Sequence, residues 1–522
     1  MIKEENNKLL IDNKTIMIQG TASDVGKSMV ATALCRIFAR NNFKVAPFKS
    51  WNMSLNSAVT AGGGEIGIAQ VIQAEAAGVE PVVDMQPILV KPKGNGLSQV
   101  IVRGKPIGEM GQQKDSKYMR MALKNIELAL NKLRENNDIV VMEGAGSPVE
   151  INVKDWDLAN MKVAALFKSP VILVTDVARG GALAALVGTL RLMEKEEREL
   201  VKGLIINRFR GDFDLLKPGL DFLEEYTGKP VLGVIPYLKD IRLPEEDSAS
   251  LQLQGGKSTE QRDLKIGIIQ LPHMSNFTDF SPLSLAKDVS LTYVSTPLQV
   301  RGLDLIIIPG TKSTTSDLEY IKNKGLAQEI QFSARKGVPV IGICGGYQMM
   351  GQFLYDPYHT EGEREEIRGL GLLPIKTNFL AEKTTHQVKA ISRGGPLLLQ
   401  GLEGEEMTAY EIHMGESSYT EQGNKSFIFN IFSRSDKCVK IEDGSLSENR
   451  LHFGTYLHGL FNNDILRNTL LNNLRLRKGL APIKRSLSYQ KGLIADYDQL
   501  ADIVEDSLDM DLIYSMCSKK YI

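Results

Sequence analysis

Cysteine is scarce in this chain. Its 522 residues hold four, Cys35, Cys344, Cys438 and Cys517, far apart and without a CxxC pair. That spacing excludes a disulfide framework and a structural zinc site, and it points to a reducing compartment, read here as the cytoplasm. Excess charge is lacking too. Lys plus Arg number 62 against 63 Asp plus Glu, a formal net charge of -1, so no global field gathers nucleic acid or acidic lipid. No apolar run approaches the ~18 residues that a membrane span needs. The opening MIKEENNKLL has no signal-peptide core, and a soluble protein without a leader is expected. Histidine is limited to six residues, which leaves few candidates for a catalytic base.

What is present is an alternation. The length exceeds one hydrophobic core and predicts at least two domains. Strand-like runs (TIMIQ, FKVAPFKS, DIVVMEGAG, SPVILVTDVA, VKGLIINRF, KPVLGVIPY) are separated by Ala/Leu-rich amphipathic segments, the rhythm of a parallel α/β sheet. The rhythm stops at EEDSASLQLQGGKSTEQR and restarts with LKIGIIQLP, DLIIIPG and VPVIGICGG. A domain over 1–245, a linker over 246–262, a second α/β domain over 263–485 and a helical tail over 486–522 are therefore expected.

In the first domain, GTASDVGKS follows a strand and opens a helix, the context of a phosphate loop. Its residues Gly20, Thr21, Asp24, Val25, Gly26, Lys27 and Ser28 are the expected nucleotide contacts. Backbone N–H groups and the helix N-terminus face phosphate oxygens, Lys27 neutralises the anion, and the Ser28 hydroxyl can hold Mg²⁺. Five residues separate Gly20 from Gly26 where the standard loop has four, and this resembles the variant loop of dethiobiotin synthetase and its relatives. Glu143, ending the strand of VVMEGAG, is read as a second metal ligand or as a cap on the next turn. Lys49, ending FKVAPFKS, reaches a phosphate or is solvated. Glu65, near the start of a helix in EIGIAQVIQAEAAG, can add a carboxylate to the metal or favour the helix dipole.

In the second domain, Cys344 stands between a strand and a glycine pair in GICGG. Small neighbours permit a sharp turn and the following helix N-terminus favours thiolate, which resembles the nucleophile elbow of hydrolases. Its base is read as His458 in FGTYLHGLF, with His413 in AYEIHMG as the rival. Two N–H donors for an oxyanion are expected from Gly345 and from the turn containing Gly310 and Thr311.

Taken together, Cys344, Gln348 one turn later and His458 resemble a class I-like glutamine amidotransferase. The collinear segments QGTASDVGKS, PFKSWNMSLNS, GGEIGIAQVIQAEAAGVEP, VMEGAGSPVEIN, INRFRGD, RLPEEDS, LPHMSNFTDF, PGTKST, GICGGYQMMG, YEIHMG and GTYLHGLF resemble, from about residue 15 to 470, the cobyric acid synthase family of cobalamin biosynthesis. The resemblance implies a dethiobiotin-synthetase-like P-loop domain joined to a class I amidotransferase-like domain. It implies ATP, Mg²⁺ and glutamine, and a small corrinoid substrate with no nucleic-acid or membrane partner, and it fixes no oligomeric state. The implied activity is a carbon–nitrogen ligase that amidates the b, d, e and g carboxylates of adenosylcobyrinic acid a,c-diamide.

Several positions depart from the family pattern. Where many class I glutaminases carry a glutamate two residues after the histidine, this chain has Leu460, so a backbone carbonyl is expected to orient His458 and slow basal glutaminase turnover follows. Trp51, Ile68, Gln86 and Ala178 replace residues expected to be Gln, Arg, Asn and Asp in segments that should face nucleotide or corrinoid. Two other readings stay open: a cobyrinic acid a,c-diamide synthase-type ligase, and a nonenzymatic ParA-like nucleotide switch.

Overall fold

The computed structural model describes residues 14–94, 96–111, 116–238, 241, 262–361, 364–421, 423–484 and 488–517. A first sheet of six parallel strands runs in the order Val231–Pro236, Val201–Phe209, Val171–Asp176, Thr15–Gly20, Ile139–Glu143 and Val45–Phe48. Its central strands are buried along their whole length, because helices cover both faces, and this is why they read as unbroken apolar runs. Ile18 pairs with Glu143. The loops leaving Gly20 and Glu143 therefore emerge side by side at the carboxyl edge, where open α/β sheets keep their ligands.

The helix after the loop, Lys27–Arg40, buries Val30, Leu34, Ile37 and Phe38 at helical spacing. The tail forms helices Tyr489–Ser507 and Met510–Cys517, which return to this first layer. Leu500, Val504 and Ile513 share one core with Leu34 and Phe38, and Arg36 pairs with Asp498 at 2.8 Å. The exposed ion pairs contribute little; the buried leucine and valine side chains hold the tail in place.

A second sheet has the order Val289–Val294, Leu264–Ile269, Leu305–Ile308, Val340–Ile343, Phe453–Thr455 and Ser445–Leu446, parallel except for the last pair. Apart from Arg262, the expected linker lies outside the described residues. Among the described residues, no helix is long and apolar enough to cross a membrane.

Two features go beyond the strand–helix alternation. Strands Trp51–Met53, Ile88–Gly94, Leu97–Val102 and Lys105–Met110 form a small sheet in the first half. In the second, an 18-residue strand, Ile375–Ser392, pairs antiparallel with Glu406–Tyr419. These additions bring the halves together: Lys383 Nζ lies 2.5 Å from Glu65 Oε2, Lys93 Nζ donates to the Thr360 carbonyl at 2.8 Å, and Asn276 Nδ2 donates to the Ser57 carbonyl at 2.8 Å.

Candidate active sites: a phosphate loop and a thiol elbow

The phosphate loop is fixed by its neighbours. Thr21 N–H donates to the Val174 carbonyl at 3.0 Å, and its hydroxyl donates to Thr175 Oγ1 at 3.1 Å. Asn207, on the next strand, donates to the buried Val25 carbonyl at 2.8 Å. Asp24 and Gly26 take positive φ, 57° and 100°, the turn that aims successive N–H groups to one side. Lys27 reaches back over the loop and donates to the carbonyls of Ala22 at 2.8 Å and Gly146 at 3.1 Å.

Gly26 has no room for a side chain, since a Cβ there would stand 2.0 Å from Asn207 Nδ2. Gly26→Ala is therefore expected to lose about 1–3 kcal/mol of stability and to weaken ATP binding. Thermal unfolding and an ATP titration check it; unchanged values in both would refute the anchoring role.

Glu143 is the centre of this site. It is buried, and its Oε1 accepts from Ser28 Oγ at 2.8 Å and from Lys49 Nζ at 3.0 Å. Its Oε2 accepts from Gln73 Nε2 at 2.6 Å. The structure thus brings Ser28, Lys49 and Glu143 together, with Lys49 as a buried ion-pair partner rather than a solvated lysine. A hydroxyl and a carboxylate converging beside a phosphate loop form an oxygen donor set that suits Mg²⁺, which keeps several waters and binds phosphate oxygens as well. Buried amide oxygens of Gln19, Gln73 and Asn160, which have no hydrogen-bond partner among the described residues, add acceptors in the same neighbourhood, since Gln19 and Asn160 border Gly144.

Glu65 is placed differently from its expectation. It lies not in a helix turn but on the short strand Glu65–Gly67, ahead of helix Ile68–Ala77. Its carboxylate is taken by Lys91, Lys383 and the Ser57 hydroxyl. Burial pushes this group up, but the two ammonium groups outweigh it and hold the carboxyl below the usual range. Its partners belong to the interface of the two halves. The departures Trp51 and Gln86 are also engaged internally: Trp51 Nε1 donates to Tyr118 Oη at 3.3 Å, and Gln86 accepts from Gly67 N–H at 2.6 Å.

In the second half, Cys344 has φ 52° and ψ -109° at the start of helix Gly345–Met350, a strained conformation for a residue with a Cβ. The glycines explain how it fits, because a Cβ on Gly346 would stand 2.0 Å from the Ile308 carbonyl. The sulfur is buried and lies 3.3 Å from the Ile412 carbonyl. Cys35 and Cys517 are core residues, Cys438 is exposed, and among the described residues Cys344 alone meets an imidazole.

That imidazole belongs to His458. Its Nδ1 is 2.6 Å from Asp279 Oδ2, which leaves Nε2 as the ring nitrogen for the sulfur. Burial opposes the charged ring, but the Asp279 carboxylate, with hydrogen bonding and charge from Cys344, raises the group to about 10. Asp279 also accepts from Gly459 N–H at 3.0 Å and Tyr410 Oη at 3.2 Å, while Tyr410 stacks on the imidazole with centroids 5.2 Å apart.

The backbone carbonyl expected to orient His458 is thus replaced by a carboxylate, and the reason for expecting slow basal turnover falls away. Asp279 was not singled out in the sequence. It lies 179 positions from His458, and the segment LPHMSNFTDF around it was the available signal.

The rival His413 lines the same cavity, but its Nδ1 is 2.8 Å from the Gly415 carbonyl and its ring stacks on Tyr456. Gly310, Thr311 and Gly345 do meet: a Cβ on Gly345 would be 3.1 Å from the Thr311 nitrogen, and one on Gly310 would be 3.0 Å from His458 Cε1. The first N–H groups of a helix have no intrahelical partner, so Gly345 N–H is suited to an oxyanion. Gln348 accepts from Thr314 Oγ1 at 3.2 Å and donates to Tyr456 Oη at 3.3 Å.

Fold and sites together define a chain that joins a nucleotide-binding half to an amidotransferase-like half. Residues 16–251 match the CobQ/CobB/MinD/ParA nucleotide binding domain, and residues 265–465 match the CobB/CobQ-like glutamine amidotransferase domain. The chain is 49% identical over 498 residues to the cobyric acid synthase of Moorella thermoacetica, covering 95% of this chain and 96% of that protein. It is 46% identical over 505 residues to that of Caldanaerobacter subterraneus subsp. tengcongensis, covering 97% and 98%, and 47% identical over 509 residues to that of Pelotomaculum thermopropionicum, covering 96% of each. This chain belongs to the cobyric acid synthase family.

Proposed function

We propose that the protein is an ATP- and glutamine-dependent ligase that amidates the b, d, e and g carboxylates of adenosylcobyrinic acid a,c-diamide, giving adenosylcobyric acid in cobalamin biosynthesis. The observation that carries the reading is the presence, in one chain, of a phosphate loop built around Lys27, Ser28 and Glu143 and of a Cys344–His458–Asp279 line in the second half.

A carboxylate is a poor acyl donor, so transfer of the γ-phosphoryl group of ATP to one of its oxygens makes an acyl phosphate and ADP. Lys27 and the loop N–H groups hold the phosphates, and Lys49 is in position to stabilise charge beside Glu143. Ser28 and Glu143 would hold Mg²⁺, which screens phosphate charge when bound.

At the other site, the Cys344 thiolate attacks the side-chain amide carbon of glutamine. Gly345 and Thr311 N–H groups face the oxyanion, and His458 gives its proton to the departing nitrogen, so ammonia leaves and a thioester remains. Water, deprotonated by His458, then hydrolyses the thioester to glutamate and restores the thiol. Ammonia displaces phosphate from the acyl phosphate and forms the amide. The absence of CxxC pairs agrees with a cytoplasmic setting, and the formal net charge of -1 with a small-molecule partner.

Mass analysis of the product tests the reading. Conversion of four carboxylates, each with one ATP and one glutamine consumed, is the expected result. Two added amides would favour a diamide synthase, and nucleotide hydrolysis without amide formation would favour a switch.

A further inference from the structure

The cavity beside Cys344 carries more charge than amide chemistry needs. Besides Cys344, Gln348 and His458, it is lined by Lys91, Lys312, Lys383 and Glu361. Lys91 comes from strand Ile88–Gly94 of the first half, so both halves of the chain wall this site. Glu65 neutralises part of this charge, binding Lys91 and Lys383 together.

Lys312 is 8% exposed, and among the described residues no carboxylate lies within ion-pair distance of its ammonium. Burial lowers that group to about 8. Glu361 is 8% exposed and is anchored by one oxygen only: its Oε2 accepts from Thr314 N–H at 2.9 Å, and among the described residues no donor takes Oε1. Thr314 in turn bonds Gln348, which ties the carboxylate to the helix that begins at Cys344. Lys312 and Glu361 offset part of each other's burial cost through their opposite charges but stand beyond ion-pair distance, so a ligand that pairs with both completes them.

Resting on the amidotransferase reading above, we propose that this cavity selects free glutamine by its zwitterionic head: Lys312 takes the α-carboxylate and Glu361 takes the α-ammonium, while the amide end reaches Cys344. The Lys91–Glu65–Lys383 cluster adds a positive wall on the side of the first half. A peptide-bound glutamine, which has neither charge, is excluded by the same groups, and so is asparagine, whose shorter chain leaves its amide short of the sulfur once the head is fixed.

Two glutamine analogues test the assignment with the full-length protein, ATP and corrinoid present. 4-Aminobutanamide lacks the α-carboxylate, and glutaramate lacks the α-ammonium. For the wild-type protein, ammonia release from either is expected to lose about 10- to 100-fold in kcat/KM relative to glutamine, the worth of one charge-assisted hydrogen bond. Lys312→Met should impose that loss on glutamine and glutaramate but little on 4-aminobutanamide. Glu361→Gln should impose it on glutamine and 4-aminobutanamide but little on glutaramate.

The wild-type comparison needs no variant, so a folding defect does not shield the proposal. Equal wild-type rates for all three amides, or a Lys312→Met loss equal for all three, would overturn it. So would an unchanged kcat/KM for glutamine with glutamate formed in excess of amide, which would assign the lysines to ammonia transfer instead. If the wild-type protein released no ammonia from glutamine at all, the amidotransferase reading itself would fail, a distinct outcome.

Discussion

Cys344→Ala is expected to lower glutamine-driven amidation by about 10⁴-fold or more while amidation driven by added ammonium salt remains at the wild-type level. The size follows from removing the proposed nucleophile of a covalent route, after which the remaining groups retain only a small residual catalysis. The selectivity follows from the division of labour between the sheets, because the phosphate loop follows strand Thr15–Gly20 and the thiol follows strand Val340–Ile343. Alanine keeps a Cβ at the strained φ of 52° and makes the side chain smaller, so the elbow remains packed. Parallel assays with glutamine and with ammonium salt at one ATP concentration check this. Equal loss with both nitrogen sources would show that Cys344 acts through the fold and not as a nucleophile.

Asp279→Asn is expected to reduce glutamine turnover by about 10³- to 10⁴-fold, again sparing the ammonia-driven reaction. The carboxylate accepts from His458 Nδ1–H, so on the proposed mechanism Nε2 is the nitrogen left to exchange a proton with sulfur. An asparagine amide facing the ring would donate to Nδ1, move the ring proton to Nε2 and leave no acceptor for the thiol.

The pH dependence has a definite sign. His458 is raised from its ordinary value to about 10, so the folded state binds this proton more tightly than the unfolded chain. The stabilisation is fully present below about pH 6.5 and is lost as pH rises through about 10. With Asp279 replaced, burial pushes the ring down, and the alkaline limit of both stability and glutaminase activity should move to lower pH. Denaturant unfolding and a kcat/KM profile across pH measure these shifts; an alkaline limb that stays in place would remove Asp279 from its assigned role.

Much of this molecule was legible along the chain. Gly20 to Ser28 is a contiguous loop between a buried strand and a helix, and Gly342 to Gly346 brackets Cys344 in the same way, so local backbone demands are written in neighbouring residues. Lys49 and Glu143 could be suspected because each ends an apolar run. Glu65 was misplaced because three residues of strand before a helix, Glu65–Gly67, leave no periodic signal. Gln73, which reaches Glu143 from helix Ile68–Ala77, reads as an ordinary helical polar residue.

Short-range patterns of apolar and glycine residues were enough to indicate the two mainly parallel sheets, the turns that carry the phosphate loop and the thiol, and the family. Tertiary structure alone decided that Asp279 meets His458, that Lys91 crosses from the first half to the cavity of the second, and that the tail returns to cover helix Lys27–Arg40. Such contacts join residues tens to hundreds of positions apart, and what selects them is the cost of leaving a buried charge or apolar face without a partner, a quantity that no local stretch of sequence contains.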